Sequence, residues 1–485
     1  MLGKIARTVG VLALGAVLAA GGFYLAGVRI GMNGSGRPGF VSTGPNYDAL
    51  DADRARQHGR PVASPSGESA PSPAPPSEPL PTAASSAEAE AKTSAPVAVD
   101  EAWPDFRGRN RDGRAREPIR LDWPPEGLPR LWKQPVGLGY ASFVVAGGRA
   151  FTIEQRRSQE VVASYDTRTG RELWTSSWEG EFAESMGGNG PRATPTYHEG
   201  RLYALGALGE FRSLDAETGR LIWRKNILDD NSATNLDWGM AASPLMVGDA
   251  VVVLPGGRNG KSVVAYNKDT GARLWSALDD QQAYTSPMLV TLGGVQQILV
   301  VTATRVLGLT TNGSRVLWEF PWSTFSGINV AQPVLLDDHR VFLSAGYDHG
   351  AALLEIVNDA GRWSVRSVWE NNRMKNKFTS SVLLNGYLYG LDESILACVE
   401  AETGQLKWKA GRYGYGQILL ASDHLVVLTE DGDLVLVKAT PERHQELARF
   451  SAIEGKTWNH PVVADGQLLV RNIREMAAFD IRPLR

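Results

Sequence analysis

The sequence predicts an all-β protein, an eight-bladed β-propeller in which an N-terminal strand closes the last blade. First, the motif Asp-x-x-Thr-Gly-x-x-x-Trp recurs along the chain. Second, a small residue recurs once in each repeat, in a second and independent register. Third, one copy of the motif is split, because the last apolar run ends at Asp480 while Trp132 stands far upstream without its own hairpin. Repeats of about 40 to 50 residues accommodate the four short strands of a propeller blade.

Each copy of the motif has the pattern of a β-hairpin. An apolar run ends at an acidic or amide residue, Thr-Gly follows, and a second apolar run ends at Trp. The acidic or amide side chain accepts hydrogen bonds from the turn, and Gly supplies the positive φ. We expect the Trp to lie between neighbouring repeats. The copies are Asp166 to Trp174, Asp215 to Trp223, Asn267 to Trp275, Glu400 to Trp408 and, in degenerate form, Thr310 to Trp318.

Two series of positions each give a count of eight repeats. The bulky series is Trp132, Trp174, Trp223, Trp275, Trp318, Trp369 and Trp408, with Phe450 interpreted as the eighth member. Small side chains are expected where eight inner strands crowd a central channel. That series is Ala141, Ala193, Ala242, Thr285, Ala331, Thr379, Gly416 and Asn459, often followed by Ser or Thr and by Pro.

The N-terminus is predicted to hold a single transmembrane helix within residues 1–30. The uncharged run from Val9 to Val28 follows Lys4 and Arg7 and is long enough to cross a hydrocarbon core of about 30 Å. The alternative is a signal peptide that is removed, since small residues at 19–22 would suit cleavage. Because the segment is N-terminal, we expect a single-pass cell-membrane protein with its propeller on the extracytoplasmic, periplasmic side.

The remaining chain divides by composition. Residues 31–100 are rich in Pro, Ser, Ala and Glu and predict a disordered linker, because such a segment buries too little apolar surface to fold. Residues 101–128 predict a clasp that packs Trp103 and Phe106 on the propeller, although its arginines could instead present a positive edge to a partner. Residues 129–485 form the predicted propeller.

Composition excludes several classes of function. With 50 basic and 53 acidic residues there is no charge surplus to bind nucleic acid. The seven His show no ligand spacing, and Cys398 occupies a repeat position held elsewhere by Ser or Ala, which favours a small buried residue. The acidic run 430–433 is interpreted as a hairpin turn, with calcium binding as the alternative. The Gly run from Met186 to Gly190 lacks the strand-to-helix context of a nucleotide-binding loop.

The segment from Trp103 to Gly113, followed by the repeated motif, resembles the bacterial proteins with PQQ-like (pyrroloquinoline quinone) propeller repeats. The resemblance covers about residues 103–485 and implies the fold. It leaves function open, because these proteins include quinoprotein alcohol dehydrogenases, BamB-type scaffolds of outer-membrane β-barrel assembly and sensor domains of kinases.

The resemblance to the dehydrogenases implies a testable set of residues. Those enzymes typically carry adjacent cysteines over the quinone, a Trp floor beneath it, and carboxylate and amide ligands for calcium. Cys398 alone cannot form the cysteine pair, so we expect no cofactor. In the alternative, PQQ binds with calcium, Trp238 is the floor, and the oxygen donors are Glu184, Asn329 and Asn376.

A ligand site is predicted at one mouth of the central channel, where the loops entering the inner strands converge. Aromatic residues stand before five of the eight small positions, and the run from Glu184 to Arg192 holds opposite charges. An aromatic, mixed-charge funnel would suit a peptide segment, a glycan or a planar cofactor. Alternatively, the aromatics plug the channel and Glu184 pairs with Arg192. The candidate residues are Tyr140, Glu184, Asn189, Arg192, Trp238, Tyr284, Asn329, Asn376, Lys377, Phe378, Tyr415 and Trp458.

The sequence therefore predicts a membrane-anchored, non-catalytic binding or assembly scaffold of the cell envelope. Its partner is expected to be an envelope protein, peptide or glycan, and the alternative is a PQQ-dependent alcohol dehydrogenase-like oxidoreductase. Two geometric tests follow. The strand of Trp132 must lie beside that of Phe479, and any ligand hypothesis requires five side chains to face one cavity, namely Glu184, Arg192, Trp238, Asn329 and Lys377.

Overall fold

A computed structural model of the protein describes residues 28–32, 38–42, 47–57 and 102–484. Within these residues, eight sheets of antiparallel strands form an eight-bladed β-propeller. The segments before the first blade are β1 (Val28–Met32), β2 (Pro38–Ser42), α1 (Tyr47–Gln57), β3 (Arg114–Ala115) and β4 (Arg130–Pro135). Strands β1 and β2 pair with each other, and β4 belongs to the last blade.

Each blade runs from an inner strand beside the channel to an outer strand at the rim. Blade 1 contains β5 (Val144–Ala146), β6 (Arg149–Arg156), β7 (Gln159–Asp166) and β8 (Glu172–Glu179). Blade 2 contains β9 (Thr196–His198), β10 (Arg201–Leu205), β11 (Glu210–Asp215) and β12 (Leu221–Asn226). Blade 3 contains β13 (Leu245–Val247), β14 (Ala250–Val253), β15 (Val263–Asn267) and β16 (Arg273–Ala277). Blade 4 contains β17 (Met288–Leu292), β18 (Val295–Val301), β19 (Arg305–Thr310) and β20 (Val316–Pro321).

The other four blades repeat this order. Blade 5 contains β21 (Val334–Leu335), β22 (Arg340–Ala345), β23 (Gly350–Asp359) and β24 (Arg362–Asn371). Blade 6 contains β25 (Val382–Leu384), β26 (Tyr387–Asp392), β27 (Ile395–Glu400) and β28 (Leu406–Arg412). Blade 7 contains β29 (Gln417–Ala421), β30 (His424–Leu428), β31 (Asp433–Lys438) and β32 (Glu446–Ser451), with β3 added parallel to β29. Blade 8 contains β33 (Val462–Ala464), β34 (Gln467–Arg471), β35 (Glu475–Asp480) and, from upstream, β4.

Two short helical segments lie in the loops between blades. Helix α2 (Ile227–Asn231) follows β12, and a 3₁₀ turn spans Phe325–Gly327 before blade 5. The Asn226 side chain caps α2 by accepting hydrogen bonds from the amides of Leu228 and Asp229. Both segments lie in connections from an outer strand to the next inner strand.

The ring closes as the split motif predicts. Strand β35 pairs antiparallel with β4, with Ala478 opposite Trp132 and Phe479 opposite Arg130. The prediction that the strand of Trp132 lies beside the strand of Phe479 is confirmed.

The repeated motif forms the joint between neighbouring blades. In blade 2, Asp215 Oδ1 accepts hydrogen bonds from the amide and hydroxyl of Thr218 at 2.9 and 2.7 Å, which closes the turn. Gly219 follows with φ of +73°, and a Cβ there would lie 2.5 Å from Cε3 of Trp174 in blade 1. Trp174 Nε1 also donates to the carbonyl of Ala216, at 3.1 Å. The spacing within the motif is therefore the same from copy to copy, because the Trp of one repeat packs on the turn of the next.

The same joint recurs around the ring. Four further indoles donate to a turn carbonyl of the following blade, in the pairs Trp132 with Thr167, Trp223 with Lys268, Trp369 with Ala401, and Trp408 with Thr440. In the degenerate copy, Trp318 instead donates to Gln297 Oε1 of its own blade, at 2.7 Å. The expectation that the Trp residues lie between repeats is met at these five joints.

The assignment of Phe450 as the eighth member of the bulky series is wrong. In blade 2, Trp223 lies opposite Ser213, immediately before the register shift of the sheet. In blade 7 that position is held by Ala448, opposite Leu436, and Phe450 lies two residues further on. Phe450 packs edge-on against Phe479 and Trp123, with ring centroids 5.3 and 5.8 Å apart. The turn of blade 7 lacks Thr-Gly, so sequence spacing could not fix the register there.

The predicted membrane segment from Val9 to Val28 lies outside the described residues, apart from Val28, which begins β1. No helix among the residues that the structure describes is both long and apolar enough to span a bilayer. The predicted linker over residues 31–100 contains β2 and helix α1, which composition did not predict. Residues 58–101 lie outside the described part of the chain.

Helix α1 docks on the seam between blades 8 and 1 around one buried charged side chain. Leu50 of the helix is buried as well, and Gln57 exchanges hydrogen bonds with Gln134 and the Glu172 amide. Arg54 is buried; its Nε donates to Glu172 Oε2 at 3.1 Å, and its guanidinium also donates to Gln134 Oε1 and Pro135 O. The same group lies 5.3 Å from the ring centroid of Tyr165. The helix carries no apolar stripe, which explains why hydrophobic periodicity does not reveal it.

Candidate functional site

The channel is bordered by one polar residue from each blade, the residue that follows each small position. We call this set the inner ring; its members are Ser142, Thr194, Ser243, Ser286, Gln332, Ser380, Gln417 and His460. Five successive backbone amides donate to the side-chain oxygen of the next blade, at 2.8 to 3.1 Å, from Ser142 through Ser380. The circuit returns through Ser142 Oγ, which donates to His460 O at 2.5 Å.

One mouth of the channel is closed by the segment Trp103–Gly113, which we call the plug. Trp103 exchanges two backbone hydrogen bonds with Val145 of blade 1, at 2.9 and 2.8 Å. Its indole stacks on His460 of blade 8 at 6.3 Å between ring centroids, and Phe106 meets the same imidazole edge-on at 6.2 Å. Gly113 O accepts from the amide of Leu420 in blade 7. Because the plug binds inner strands around the ring, it lies across the channel.

Arg111 fixes the plug from inside. It is 2% exposed, and it donates from Nε and Nη2 to the two carboxylate oxygens of Asp105 at 3.0 and 2.8 Å. Its Nη1 donates to Pro287 O at 2.7 Å and to Ser243 O at 3.2 Å. Burial raises the pKa of Asp105, and the positive charge of the adjacent Arg111 partly offsets this increase. The alternative that the arginines present a positive edge to a partner is wrong for Arg111, because its guanidinium is bound to Asp105 and to backbone carbonyls inside the propeller.

Arg107 is also buried in the plug, but its guanidinium has fewer hydrogen-bond partners than that of Arg111. It is 1% exposed, and its Nη2 donates to Ser381 O at 3.1 Å and Asp112 O at 3.3 Å. No partner for its Nε or Nη1 exists within the described ranges. Burial lowers its pKa to about 10. The alternative that the arginines present a positive edge to a partner is therefore wrong for Arg107 as well, because its guanidinium lies inside the propeller.

The other mouth of the channel is a funnel of about 360 Å³. Its walls are aromatic and its floor is formed by the plug and the inner ring. The wall rings are Tyr140, Trp238, Tyr284, Tyr347, Phe378 and Trp458. The floor residues are Phe106, Ser243, Ser286, Ser380, Gln417 and His460. The rings contact one another, with centroids 4.5 Å apart for Phe378 and Trp458 and 5.2 Å for Tyr140 and Trp458.

Three cations lie against these aromatic walls. The Arg192 guanidinium lies 5.5 Å from the ring centroid of Tyr140. It donates at 2.7 Å to two backbone carbonyls of its own loop, residues 184–192, which we call the rim loop. Lys377 Nζ lies 4.9 Å from the ring centroid of Tyr347. Lys456 Nζ lies 3.7 Å from the ring centroid of Trp458. Burial lowers the pKa of all three, that of Lys456 to about 8.

The neighbouring carboxylates are held behind the walls. Glu184 accepts hydrogen bonds from the amides of Met186, Gly187 and Gly188. Glu393 accepts from the Tyr415 hydroxyl at 2.8 Å. Glu430 accepts from the Trp458 indole and the Tyr415 amide, both at 3.1 Å. No carboxylate is among the described residues that line the funnel, so its inner surface presents cations and ring faces.

The structure brings together seven of the twelve sequence-predicted residues. Those lining the funnel are Tyr140, Arg192, Trp238, Tyr284, Lys377, Phe378 and Trp458. Tyr415 lies behind Phe378, with ring centroids 5.6 Å apart. Glu184 and Asn189 organise the rim loop, where the Glu184 amide donates to Asn189 Oδ1 at 3.1 Å.

Two predicted residues are turned away, and one alternative is wrong. Asn329 is 2% exposed and donates to Thr302 O at 2.8 Å, while Asn376 is 1% exposed and donates to Leu391 O at 3.1 Å. Of the five side chains in the geometric test, Asn329 and Glu184 therefore do not line the cavity, so the test is not met as stated. The requirement itself is wrong, because other residues complete a cavity without these two. The alternative pairing of Glu184 with Arg192 is also wrong, since Arg192 binds carbonyls and Glu184 binds amides.

Sequence reasoning missed several funnel residues. Tyr347 lies in a turn with φ of +58° between β22 and β23, where no repeat signal exists. Lys456 lies beside the funnel rather than in its lining, in the loop before the last inner strand, where its Nζ donates to Gly187 O at 2.6 Å. The floor serines carried a signal, because Ser or Thr follows most of the small positions, and that pattern marked the inner ring.

The residues present do not fit a calcium-bound quinone. A hard cation needs several free oxygen donors. Asn376 Oδ1 accepts from Ser381 Oγ at 2.7 Å, and the Glu184 carboxylate is occupied by three amides. Trp238 lies in the wall edge-on to Tyr284, and the aromatic ring in the floor is that of Phe106. Glu184 and Asn376 are therefore committed to the protein's own groups. Of this donor set, only Asn329 Oδ1 has no partner among the described residues, and one free oxygen is fewer than a hard cation needs.

Solved structures of similar shape come from two functional groups. BamB from Moraxella catarrhalis has a TM-score of 0.50 at 15% identity, covering 73% of this chain and 98% of that structure. The quinohemoprotein alcohol dehydrogenase from Comamonas testosteroni has a TM-score of 0.54 at 13% identity, covering 79% and 82%. A europium-containing methanol dehydrogenase has a TM-score of 0.55 at 11% identity, covering 79% and 98%. At these identities the similarity shows the fold alone.

Sequence comparison separates the two groups. The outer membrane protein assembly factor BamB of Burkholderia pseudomallei (strain K96243) is 23% identical over 390 residues, which cover 70% of this chain and 96% of that relative. The family model described as outer membrane protein assembly factor BamB matches residues 158–410, more than half of the chain. The chain therefore belongs to the BamB family of PQQ-like β-propellers.

Proposed function

We propose that the protein is a non-catalytic binding scaffold of the cell envelope and that its funnel holds part of a partner protein. The family supports the class, because the relative and the family model are both described as an outer membrane protein assembly factor. The observation that carries the proposal is the lining of the funnel. Aromatic rings, hydroxyls and cations face the cavity, while the nearby carboxylates are held behind it.

This lining suits binding better than chemistry. General acid–base catalysis needs a titratable group that can reach a substrate and exchange a proton near neutral pH. His460 is the lining residue of that type, and burial lowers its pKa well below the usual range. Its Nε2 donates to Ile418 O at 3.1 Å, which fixes the ring as part of the inner ring. Aromatic walls with a few polar groups are instead typical of recognition sites.

We also propose an extracytoplasmic, membrane-attached location for the scaffold. The apolar run from Val9 to Val28 is the observation in its favour, together with the envelope function in the names of the relatives. Expression of the full chain, followed by membrane fractionation and protease protection of intact cells and spheroplasts, tests this part. Recovery of the full-length protein in the soluble cytoplasmic fraction would contradict it.

Site-specific photocrosslinking in living cells tests the binding proposal. A photoreactive residue replaces Phe325, which is 74% exposed at the funnel rim, and in a control replaces Leu447, 51% exposed on an outer strand. We expect a discrete adduct with an envelope protein from position 325. The further substitution Ala241→Trp, which fills the funnel, should abolish that adduct.

Two outcomes would sink the proposal. One is the same adduct from position 447, or an adduct from position 325 that persists in the Ala241→Trp chain. The other is dye-linked alcohol oxidation by the purified full-length protein after addition of PQQ and calcium, because turnover would establish the dehydrogenase alternative.

A further inference from the structure

The funnel is blind. The plug fills the opposite mouth of the channel, and Phe106 forms part of the funnel floor. A polypeptide therefore cannot pass through the propeller, and a partner can enter the funnel only with a chain end or a projecting tip. The volume of about 360 Å³ is at the lower end of the range of about 300 to 1,000 Å³ for small-ligand sites. It accommodates a few residues rather than a long segment.

The floor offers hydroxyl donors. Ser243, Ser286 and Ser380 line the funnel and are at most 5% exposed. Each Oγ already accepts a hydrogen bond from the backbone amide of the preceding blade, at 2.9 to 3.1 Å. A serine hydroxyl has one proton to donate as well. No protein acceptor for these three protons is found in the described part of the chain, so the proton of each remains available at the funnel floor.

The charged side chains that line the funnel are cations, with the neighbouring carboxylates held behind the walls, and this favours an anion at the floor. Arg192, Lys377 and Lys456 are placed around the walls, and Arg107 is buried in the plug. The incompletely bonded guanidinium of Arg107 contributes to the lowered pKa of His460, after the larger effect of burial. Buried charges act strongly because water does not screen them. The cationic N-terminus of a peptide would be repelled at this floor.

We propose that the funnel binds the free C-terminus of a partner polypeptide, with its carboxylate on the three floor serines and its apolar last side chain against the aromatic walls. This inference rests on the proposed scaffold function and names what the funnel recognises. The carboxylate accepts the hydroxyl protons and is attracted by the surrounding cations. The wall rings bury the terminal side chain, with Phe378 and Trp458 in direct ring contact as part of that surface.

Titration of the full-length protein with matched peptides tests the proposal. The probes are acetyl-Gly-Ala-Phe with a free carboxylate, the same peptide as its amide, and Phe-Ala-Gly-amide with a free N-terminus. We expect the free acid to bind at least tenfold more tightly than either other peptide. The Lys456→Gln chain should bind the free acid more weakly, while its affinity for the amide should be unchanged.

A pH series adds a second measurement that does not depend on the folding of any variant. Burial lowers the pKa of Lys456 to about 8, with Glu430 and Glu184 opposing the shift and Arg192 adding to it. Binding of the free acid should therefore weaken as the pH rises through about 8, and the Lys456→Gln chain should lack this step. The amide should show no such step in either chain.

The outcomes separate this inference from the scaffold function. Equal affinity for acid and amide, or equal affinity for phenylacetate and the peptide acid, would overturn the C-terminus as the ligand. If none of the peptides binds while the position 325 adduct remains sensitive to Ala241→Trp, the inference fails and the scaffold stands. If neither peptide nor adduct is observed, both fail.

Discussion

Ala478 lies opposite Trp132 in the eighth blade, so the last sheet is assembled from two segments that are far apart in sequence. The indole of Trp132 continues across the seam, where its Nε1 donates to Thr167 O of blade 1 at 2.8 Å. One residue thus completes the sheet of the last blade and joins it to the first.

Trp132→Ala should destabilise the whole propeller rather than one blade. Removing a buried Trp costs about 3 to 5 kcal/mol in the free energy of unfolding. Leu131→Ala in the same strand is the matched control, because Leu131 is 41% exposed. Chemical denaturation followed by fluorescence measures both. A Trp132→Ala chain as stable as the Leu131→Ala chain would show that β4 does not hold the ring closed.

The turn glycines should differ according to what lies beside them. Gly219→Ala places a methyl group against Trp174, and we expect a loss of about 1 to 3 kcal/mol from this overpacking in addition to the cost of a positive φ. Gly200→Ala is the control, since it has φ of +77° and open space around it. Thermal unfolding of both chains isolates the Trp contact. Equal losses would mean that the joint does not depend on that contact.

Arg111→Met should be strongly destabilising because it leaves the Asp105 carboxylate buried without its cation. Removing one partner of a buried pair costs about 3 to 5 kcal/mol. The double change Arg111→Met with Asp105→Asn should recover part of this loss, and the exposed Arg116→Met should have little effect. Denaturant unfolding compares the four chains. A single variant no worse than the double would contradict the assigned ion pair.

Glu160 should make stability depend on pH between about 4.5 and 7. Its pKa is raised from 4.5 to about 7, chiefly by burial, and nearby Glu210 raises it further while Arg212 lowers it. The folded state therefore holds a proton that the unfolded state has lost. This contribution is fully present below pH 4.5 and is lost as the pH rises through about 7, by up to about 3 kcal/mol. Glu160→Gln should remove that slope in unfolding measured across the pH range.

The fold could be predicted because its signal is repeated. The contact of Trp174 with Gly219 is one of several equivalent joints, so the spacing of the motif reports both the turn and the neighbouring blade. Where the turn lost Thr-Gly, the same reasoning misplaced the joint at Phe450. The closing strand could be predicted because one half of the motif stands at each end of the repeats, and the two halves form a complete hairpin sheet only if the ring closes between them.

The site could be predicted only in part. Tyr140, Tyr284 and Phe378 were found because they precede inner-strand positions and share the repeat register. Asn329 lies one residue outside that register, in a loop predicted to reach the same mouth, and its amide instead donates to the buried Thr302 carbonyl. The burial of Arg107 could not be predicted from the sequence, since it depends on the Ser381 carbonyl of blade 6, which is remote in sequence.

Helix α1 gives the N-terminal region a second point of attachment to the propeller. Because Arg54 holds it on the seam between blades 8 and 1, the chain leaves the propeller body at Tyr47 as well as entering it at residue 102. A proteolytic nick anywhere in residues 58–101 should consequently leave the two fragments associated. If Val9–Val28 is held in a membrane as proposed above, any pull on it would act on the closing seam itself.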